Sequence, residues 1–341
     1  MLAKAAAQLI NVLVSWHFRI CEVLFRFRPK RDLAKAIAIY SKASLDIDAI
    51  EAQCHSSGQT LHSYAAWIAN YKLKSWMMVV LPGQIMMPLA SMLCPLTPGQ
   101  KMALDSDGGV IVSVPHYGEF IPAIISIALA TPAQRRVVIF YDPPSSVQTN
   151  STFDEIAQRV IPTIARDVAI CHNNAAGLGQ ALKTLKSGGT VILMPDVCKD
   201  VTVGTAISFL GKDFVVMLGV GQLIRKTGSI LVPFLPRIAG TDAKPQVLPA
   251  LVAASERTLA TSANVDFLEY HDYQLVRSLF HVYEQAIGTA RIFWLYWLTY
   301  RSPISLGNAS DPGALLKLLA ADPMLRRHSV LVLRESDATG G

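Results

Sequence analysis

Charge is scarce in this chain: Asp, Glu, Lys and Arg supply 16% of its 341 residues, against 51% hydrophobic residues. So little charge beside so much apolar material excludes an intrinsically disordered chain, which fails to bury enough surface to offset its ordering entropy. A mean hydropathy of +0.34 is high for a soluble enzyme, yet the apolar stretches are too interrupted for a multi-span membrane protein. The expectation is a globular body that sits on a bilayer. Cysteine is also sparse. Cys21, Cys54, Cys94, Cys171 and Cys198 form neither a C-x-x-C pair nor a regular framework, which excludes a disulfide scaffold and fits small apolar residues in a reducing compartment. Several catalytic signatures are missing: no G-x-S-x-G elbow, no Walker A loop, no H-E-x-x-H and no G-x-G-x-x-G occurs. No arginine-rich run alternates with aromatics, and no zinc-finger or RNP pattern is found, so nucleic acid is not an expected partner. The formal charge of +6 points instead to anionic lipid headgroups or a phosphorylated carrier.

What is present divides into three stretches. Met1 to Phe27 is apolar but interrupted by Lys4, His17, Arg19, Glu22 and Arg26, so it lacks the roughly 20-residue uncharged run of a spanning helix. An interfacial helix is expected, with Arg26, Arg28, Lys30 and Arg31 meeting anionic lipid; a helix buried against the body is the alternative. No small-residue cleavage site precedes the basic cluster, which argues against a signal peptide. A second apolar stretch runs from Ser75 through Gln100 without charge, and Pro82-Gly83 and Pro88 break it. It reads as a membrane-dipping hairpin, the lining of an acyl-chain tunnel, or ordinary core.

From about residue 105 the pattern changes. Val110 to Val114, Val137 to Tyr141, Val191 to Met194 and Ile230 to Phe234 are short β-branched runs of the kind buried in parallel sheets. Between the second and third, Asn173 or Asn174 caps a helix with Leu178, Ala181, Leu182 and Leu185 on one face, ending at Gly188-Gly189. The expected fold class is α/β: a mostly parallel central sheet flanked by helices, with an N-terminal helical membrane-contact region. Ala239 to Asn264 reads as an irregular excursion. Tyr273 to Tyr300 reads as a long helix ending in aromatics, and the residues after Arg327 as peripheral. The expected organisation is a helical region over 1–104, an α/β domain over 105–305 and a tail over 306–341.

In open parallel sheets, sites form outside the carboxyl ends of the strands. That rule selects Pro115-His116, Tyr141-Asp142, Pro195-Asp196 and Pro236-Arg237. His116 is the strongest candidate, because an imidazole after a buried strand can take a proton near neutral pH. Glu119, three residues on, is in sequence reach to orient it by accepting from one ring nitrogen. The alternative is a polar cap in which His116 is merely hydrogen-bonded. Cys198 beside Asp196 has no neighbouring histidine to activate it.

At these residues the chain resembles the lysophospholipid acyltransferase superfamily, and within it the bacterial lipid A biosynthesis (lauroyl/myristoyl) acyltransferases. The resemblance rests on G-G-V-I-V-S-V-P-H-Y-G-E-F (108 to 120), A-L-K-T-L-K-S-G-G-T-V-I-L-M-P-D (181 to 196), I-S-F-L-G (207 to 211) and G-V-G-Q-L-I-R-K-T-G-S-I-L-V-P-F (219 to 234). It implies transfer of an acyl group from a thioester, on coenzyme A or acyl carrier protein, to a hydroxyl or amine acceptor. No acyl-enzyme, metal or redox cofactor is involved, and the protein would lie at the cytoplasmic face of a membrane. His116 and Glu119 are the expected catalytic pair; Tyr117, Tyr141, Asp196, Phe209, Lys212 and Arg237 are the expected substrate-binding residues. One position departs from the family pattern: the carboxylate that follows the histidine after four intervening residues is Ile121 here. That leaves Glu119, or a carboxylate from elsewhere such as Asp196, to orient His116. It also leaves open a tailoring enzyme with a small-molecule acceptor, or a non-catalytic member that binds lipid or a carrier.

Overall fold

The β-branched runs pair as a parallel sheet because each is apolar on both faces and can be buried only between helical layers. In the computed structural model, which describes residues 2–38, 47–141, 156, 160–164, 167–172, 174–196, 205–238, 248, 265–288 and 290–294, five strands form this sheet. They are β1 (Val110–Ser113), β2 (Val137–Tyr141), β3 (Val168–His172), β4 (Thr190–Leu193) and β7 (Ile230–Pro233), in the order β3-β2-β4-β1-β7. All their pairings are parallel. β5 (Thr205–Phe209) and β6 (Lys212–Val216) make a separate antiparallel hairpin. The fold class is therefore α/β, with a five-stranded parallel sheet flanked by helices.

β1 lies between β4 and β7, and every one of its side chains is buried. The segment leaving β1 leads through α7 (Phe120–Ala130) to β2 on one side. The segment leaving β4 leads through the hairpin and α9 (Gly219–Thr227) to β7 on the other. Outgoing connections that part in opposite directions leave a crevice at the strand ends. In register, Ser113 stands opposite Leu193. Counting three residues onward from each gives His116 and Asp196.

Before the sheet come α1 (Leu2–Arg26), α2 (Lys30–Ala38), α3 (Ile47–Ser56), α4 (Leu61–Val80), α5 (Gly83–Leu93) and α6 (Pro98–Leu104). The uncharged stretch from Ser75 is thus the end of α4 plus α5, with Pro82 as the cap of α5 and Pro88 inside it. Met78, Met86, Leu89 and Ala90 are fully buried, so this part of the stretch serves as core. α5 packs on both α1 and α7, and one hydrophobic cluster runs from Ala7 on α1 to Trp294.

α8 (Ala175–Lys186) has Asn174 as its cap, whose side chain accepts from the Gly177 N–H at 2.9 Å. α10 (Val265–Ile287) corrects the expected helix over Tyr273 to Tyr300. It ends at Ile287, and Gly288 follows with φ +50°, a conformation that closes helices. A single 3-10 turn, Ala290–Phe293, then carries the chain to Trp294. Tyr300, the excursion at 239–264 apart from Leu248, and the segment after Arg327 lie outside the described residues, as do Asp142 and Cys198. α9 and α10 are joined by a buried bidentate pair, Arg225 Nε to Asp272 Oδ1 and Nη2 to Asp272 Oδ2, both 3.0 Å.

α1 has three faces rather than two. Ala7, Val14 and Phe18 are buried against the body. A second face carries Lys4, Gln8, Ser15, Arg19 and Arg26, all exposed. The third, spaced in threes and fours along the helix, is Leu2, Leu9, Val12, Leu13, Trp16, Ile20, Val23, Leu24 and, just beyond the helix, Phe27, each more than half exposed. Among the described residues no helix is long and apolar enough to cross a membrane.

Candidate active site

The turn after β1 is shaped by its neighbours. Tyr117 N–H donates to Pro115 O at 2.7 Å, a one-residue reversal centred on His116. Gly118 N–H donates to Phe293 O (3.1 Å) and Glu119 N–H to Arg237 O (2.9 Å), which tie the turn to the ends of two other segments. Gly118 adopts φ +52°, and a Cβ there would stand 2.4 Å from Arg237 O. Only glycine meets both demands at this position.

The reversal turns His116 toward the end of β4, where Asp196 receives it twice. His116 Nδ1 lies 2.8 Å from Asp196 Oδ1, and the His116 backbone N–H donates to Oδ2 at 2.8 Å. A third donor, Trp294 Nε1, reaches Oδ2 at 2.7 Å. A carboxylate with three donors around it is held as an acceptor, so Nδ1 carries the ring proton and Nε2 keeps the basic lone pair. The Asp196 side chain is 1% exposed and that of His116 13%, so the carboxylate is sealed in while the imidazole reaches the surface. The Phe120 ring packs 4.8 Å from the imidazole and backs it from the α7 side. Such a dyad can take a proton from a hydroxyl or amine presented to Nε2.

Of the two carboxylates available for orienting His116, Asp196 does so, and Glu119 is engaged elsewhere. Glu119 stands at the N-cap position of α7 without a side-chain cap bond and pairs with Lys74 of α4, both side chains 1% exposed. Complete burial pulls the Lys74 ammonium below the ordinary lysine range, with the attraction of Glu119 offsetting part of that. The geometric reason is simple: the reversal at His116 and the left-handed Gly118 send Glu119 back toward α4, away from the strand ends. Arg237 belongs to this second cluster. It is half-buried, it bears on the charge of Lys74, and its backbone N–H points at the Cys94 sulfur, whose thiol burial pushes up to about 12.

The other expected substrate-binding residues are distributed differently. Tyr117 is beside the dyad, bridged through its backbone to Trp294, but its side chain is buried, and burial pushes its phenol above the usual range. Phe209 is core: its ring stands edge-on to Trp294 at 5.2 Å and to Phe280 at 5.0 Å. Tyr141 ends β2, separated from β1 by β4, and its side chain lies outside the described residues. So does that of Lys212, at the start of β6. The sequence pattern placed Trp294 among the aromatics ending a long helix and gave it no part in the site, so Trp294 was missed as a partner of Asp196. The available signal was the indole N–H itself, a donor that requires a partner when buried. Among the described residues no group of three or more His, Cys, Asp or Glu side chains is placed to hold a metal ion.

No protein-family model matches this chain, and no curated protein matches it.

Proposed function

We propose that this protein is an acyltransferase that moves an acyl group from a thioester donor, acyl-CoA or acyl carrier protein, to a hydroxyl or amine of a lipid or glycolipid acceptor. The observation that carries the proposal is the His116–Asp196 dyad at the adjacent ends of β1 and β4, with Nδ1 held by the carboxylate and the imidazole partly exposed. In the reaction, Nε2 takes the acceptor's proton as the acceptor oxygen or nitrogen attacks the thioester carbonyl. The C–S bond then breaks, and the proton on His116 leaves with the thiolate as free thiol. Asp196 is a positioning residue: it holds the tautomer and steadies the imidazolium while it lasts. The resemblance of residues from about 108 to 237 to the lipid A acyltransferases supports the thioester as donor. The test is incubation of the full chain with a mixed panel of acyl thioesters and hydroxyl acceptors, followed by mass spectrometry. Acyl ester or amide products are expected; release of no thiol with any donor and acceptor pair would remove the enzyme reading and leave a lipid or carrier binder.

The acceptor class agrees with the outer face of α1. Nine large apolar side chains on one exposed face, flanked by Lys4, Arg19, Arg26, Arg28 and Arg31, suit a helix lying in an anionic bilayer surface. Lys30 contributes less, because it pairs with Asp48 and Glu51. Replacing Leu13, Trp16 and Ile20 together by serine removes three outward side chains without touching the inner face. Each is worth about 1.5–3 kcal/mol when fully buried, so partitioning onto vesicles containing anionic phospholipid should fall at least ~10-fold. Unchanged co-sedimentation at low salt would rule out this face as the membrane contact.

A further inference from the structure

Asp196 receives more donors than orienting a histidine requires, and one of them comes from a part of the chain remote in sequence. Trp294 stands 98 residues beyond Asp196, yet its indole nitrogen is 2.7 Å from Oδ2. The placement is not incidental to packing. Phe293 is set edge-on against Trp67 of α4 at 5.1 Å, and its carbonyl accepts from Gly118 in the histidine turn. Phe209 and Phe214 of the hairpin hold the Trp294 ring edge-on at 5.2 and 5.1 Å. An indole gripped on several sides, with its N–H aimed at a buried carboxylate, has one rotational setting.

We propose that Trp294 is a positioning residue of the dyad: by donating to Asp196 Oδ2 it fixes the carboxylate's rotation and draws charge from it, which limits how strongly Asp196 holds the imidazolium form of His116. The proposal rests on the acyltransferase reading only for its consequence in turnover. The electrostatic part stands on the geometry alone. A carboxylate that shares its charge among three donors attracts the Nδ1 proton less than one with two. Without the indole donor, Asp196 becomes the stronger acceptor, and protonated His116 is favoured. His116 should then titrate at higher pH, with a smaller fraction in the basic form at neutrality.

Among the described residues, the titratable groups placed near the dyad are these. Tyr283 of α10 donates to Ser113 O at 2.6 Å and bears on Asp196; Tyr117 is buried beside the turn; Lys74, Glu119 and Arg237 form the cluster on the far side of the turn. None of them is altered when the indole N–H alone is removed.

The experiment follows the His116 ring by NMR titration, which needs no turnover, in wild type, in Trp294→Phe and in a variant carrying benzothienylalanine at position 294. The last keeps the bicyclic shape and lacks only the N–H, so it carries the measurement if the phenylalanine variant does not fold. The expected result is a titration midpoint raised by about half to one pH unit, and an acidic limb of kcat/KM displaced in the same direction, with a single cooperative melting transition retained by the benzothienyl variant. A midpoint that stays within error of wild type in the folded benzothienyl variant overturns the proposal. A raised midpoint in a protein that transfers no acyl group keeps it and overturns the acyltransferase reading instead.

Discussion

If the proposed acyl transfer runs through His116, His116→Ala should lower thioester-dependent product formation by about 10²- to 10⁴-fold, the range for loss of a general base, with secondary structure and melting temperature preserved. The side chain stands in a turn and reaches the surface, so its removal opens little space in the core. Asp196→Asn is the more instructive partner experiment, because its outcome is dictated by the donors around the carboxylate. Oδ2 faces the His116 backbone N–H and the Trp294 indole N–H, neither of which can turn into an acceptor. An asparagine at 196 must therefore place its oxygen there and its NH2 toward His116 Nδ1. The ring responds by carrying its proton on Nε2, the tautomer that cannot act as base. Activity should fall nearly as far as in His116→Ala although every side chain keeps its place. Steady-state kinetics over a pH range check this; an Asp196→Asn enzyme within a few-fold of wild type would show that the dyad does not run the chemistry.

Glu119→Gln separates the two carboxylates by a different measurement. Removing one partner of a buried ion pair costs about 3–5 kcal/mol, because the other charge is left without compensation. The loss should appear as instability of the whole fold. Its pH dependence has a definite sign. In Glu119→Gln the orphan is Lys74, whose folded-state proton affinity is already depressed by burial. The penalty is full where lysine is charged in both states and shrinks as pH rises from the folded-state value toward the unfolded one near 10.4. Lys74→Met leaves a buried carboxylate instead, at a comparable cost. Urea unfolding at several pH values checks the slope in Glu119→Gln, and Lys74→Met with Glu119→Gln together should recover much of the loss. A Glu119→Gln protein of wild-type stability and low activity would restore Glu119 as the orienting group.

The contrast between Glu119 and Asp196 marks where sequence reading stops. Three of the sheet strands announce themselves through β-branched runs, and a fourth, β4, does so one residue out of place, because full burial on both faces leaves little compositional freedom. β3 gave a weaker signal: it is an edge strand, only partly buried, and ends in Cys171-His172. The β5–β6 hairpin was hidden for another reason. Its turn residues Leu210 and Gly211 both have positive φ, a geometry that ordinarily selects Asn-Gly. Leucine is held there by burial and by Glu284, which accepts its backbone N–H at 2.7 Å, and neither contact is local in sequence. The site divides in the same way. His116 was legible from its position after a strand, whereas its partner depended on which strand lies beside β1, and that is fixed only when β4 inserts between β1 and β2.

That insertion has a mechanical consequence. Ser113 and Leu193 face one another across neighbouring strands, and the dyad sits the same three residues beyond each, with a backbone N–H of one residue bonded to the side chain of the other. The His116–Asp196 pair is in effect a last rung of the β1–β4 ladder. Strands in a sheet stand about 4.8 Å apart, a separation that yields only when pairing is lost. The site therefore has the stiffness of the sheet: its two members cannot drift apart while the strands remain paired, and adjustment to any bound molecule falls to the surfaces around the rung.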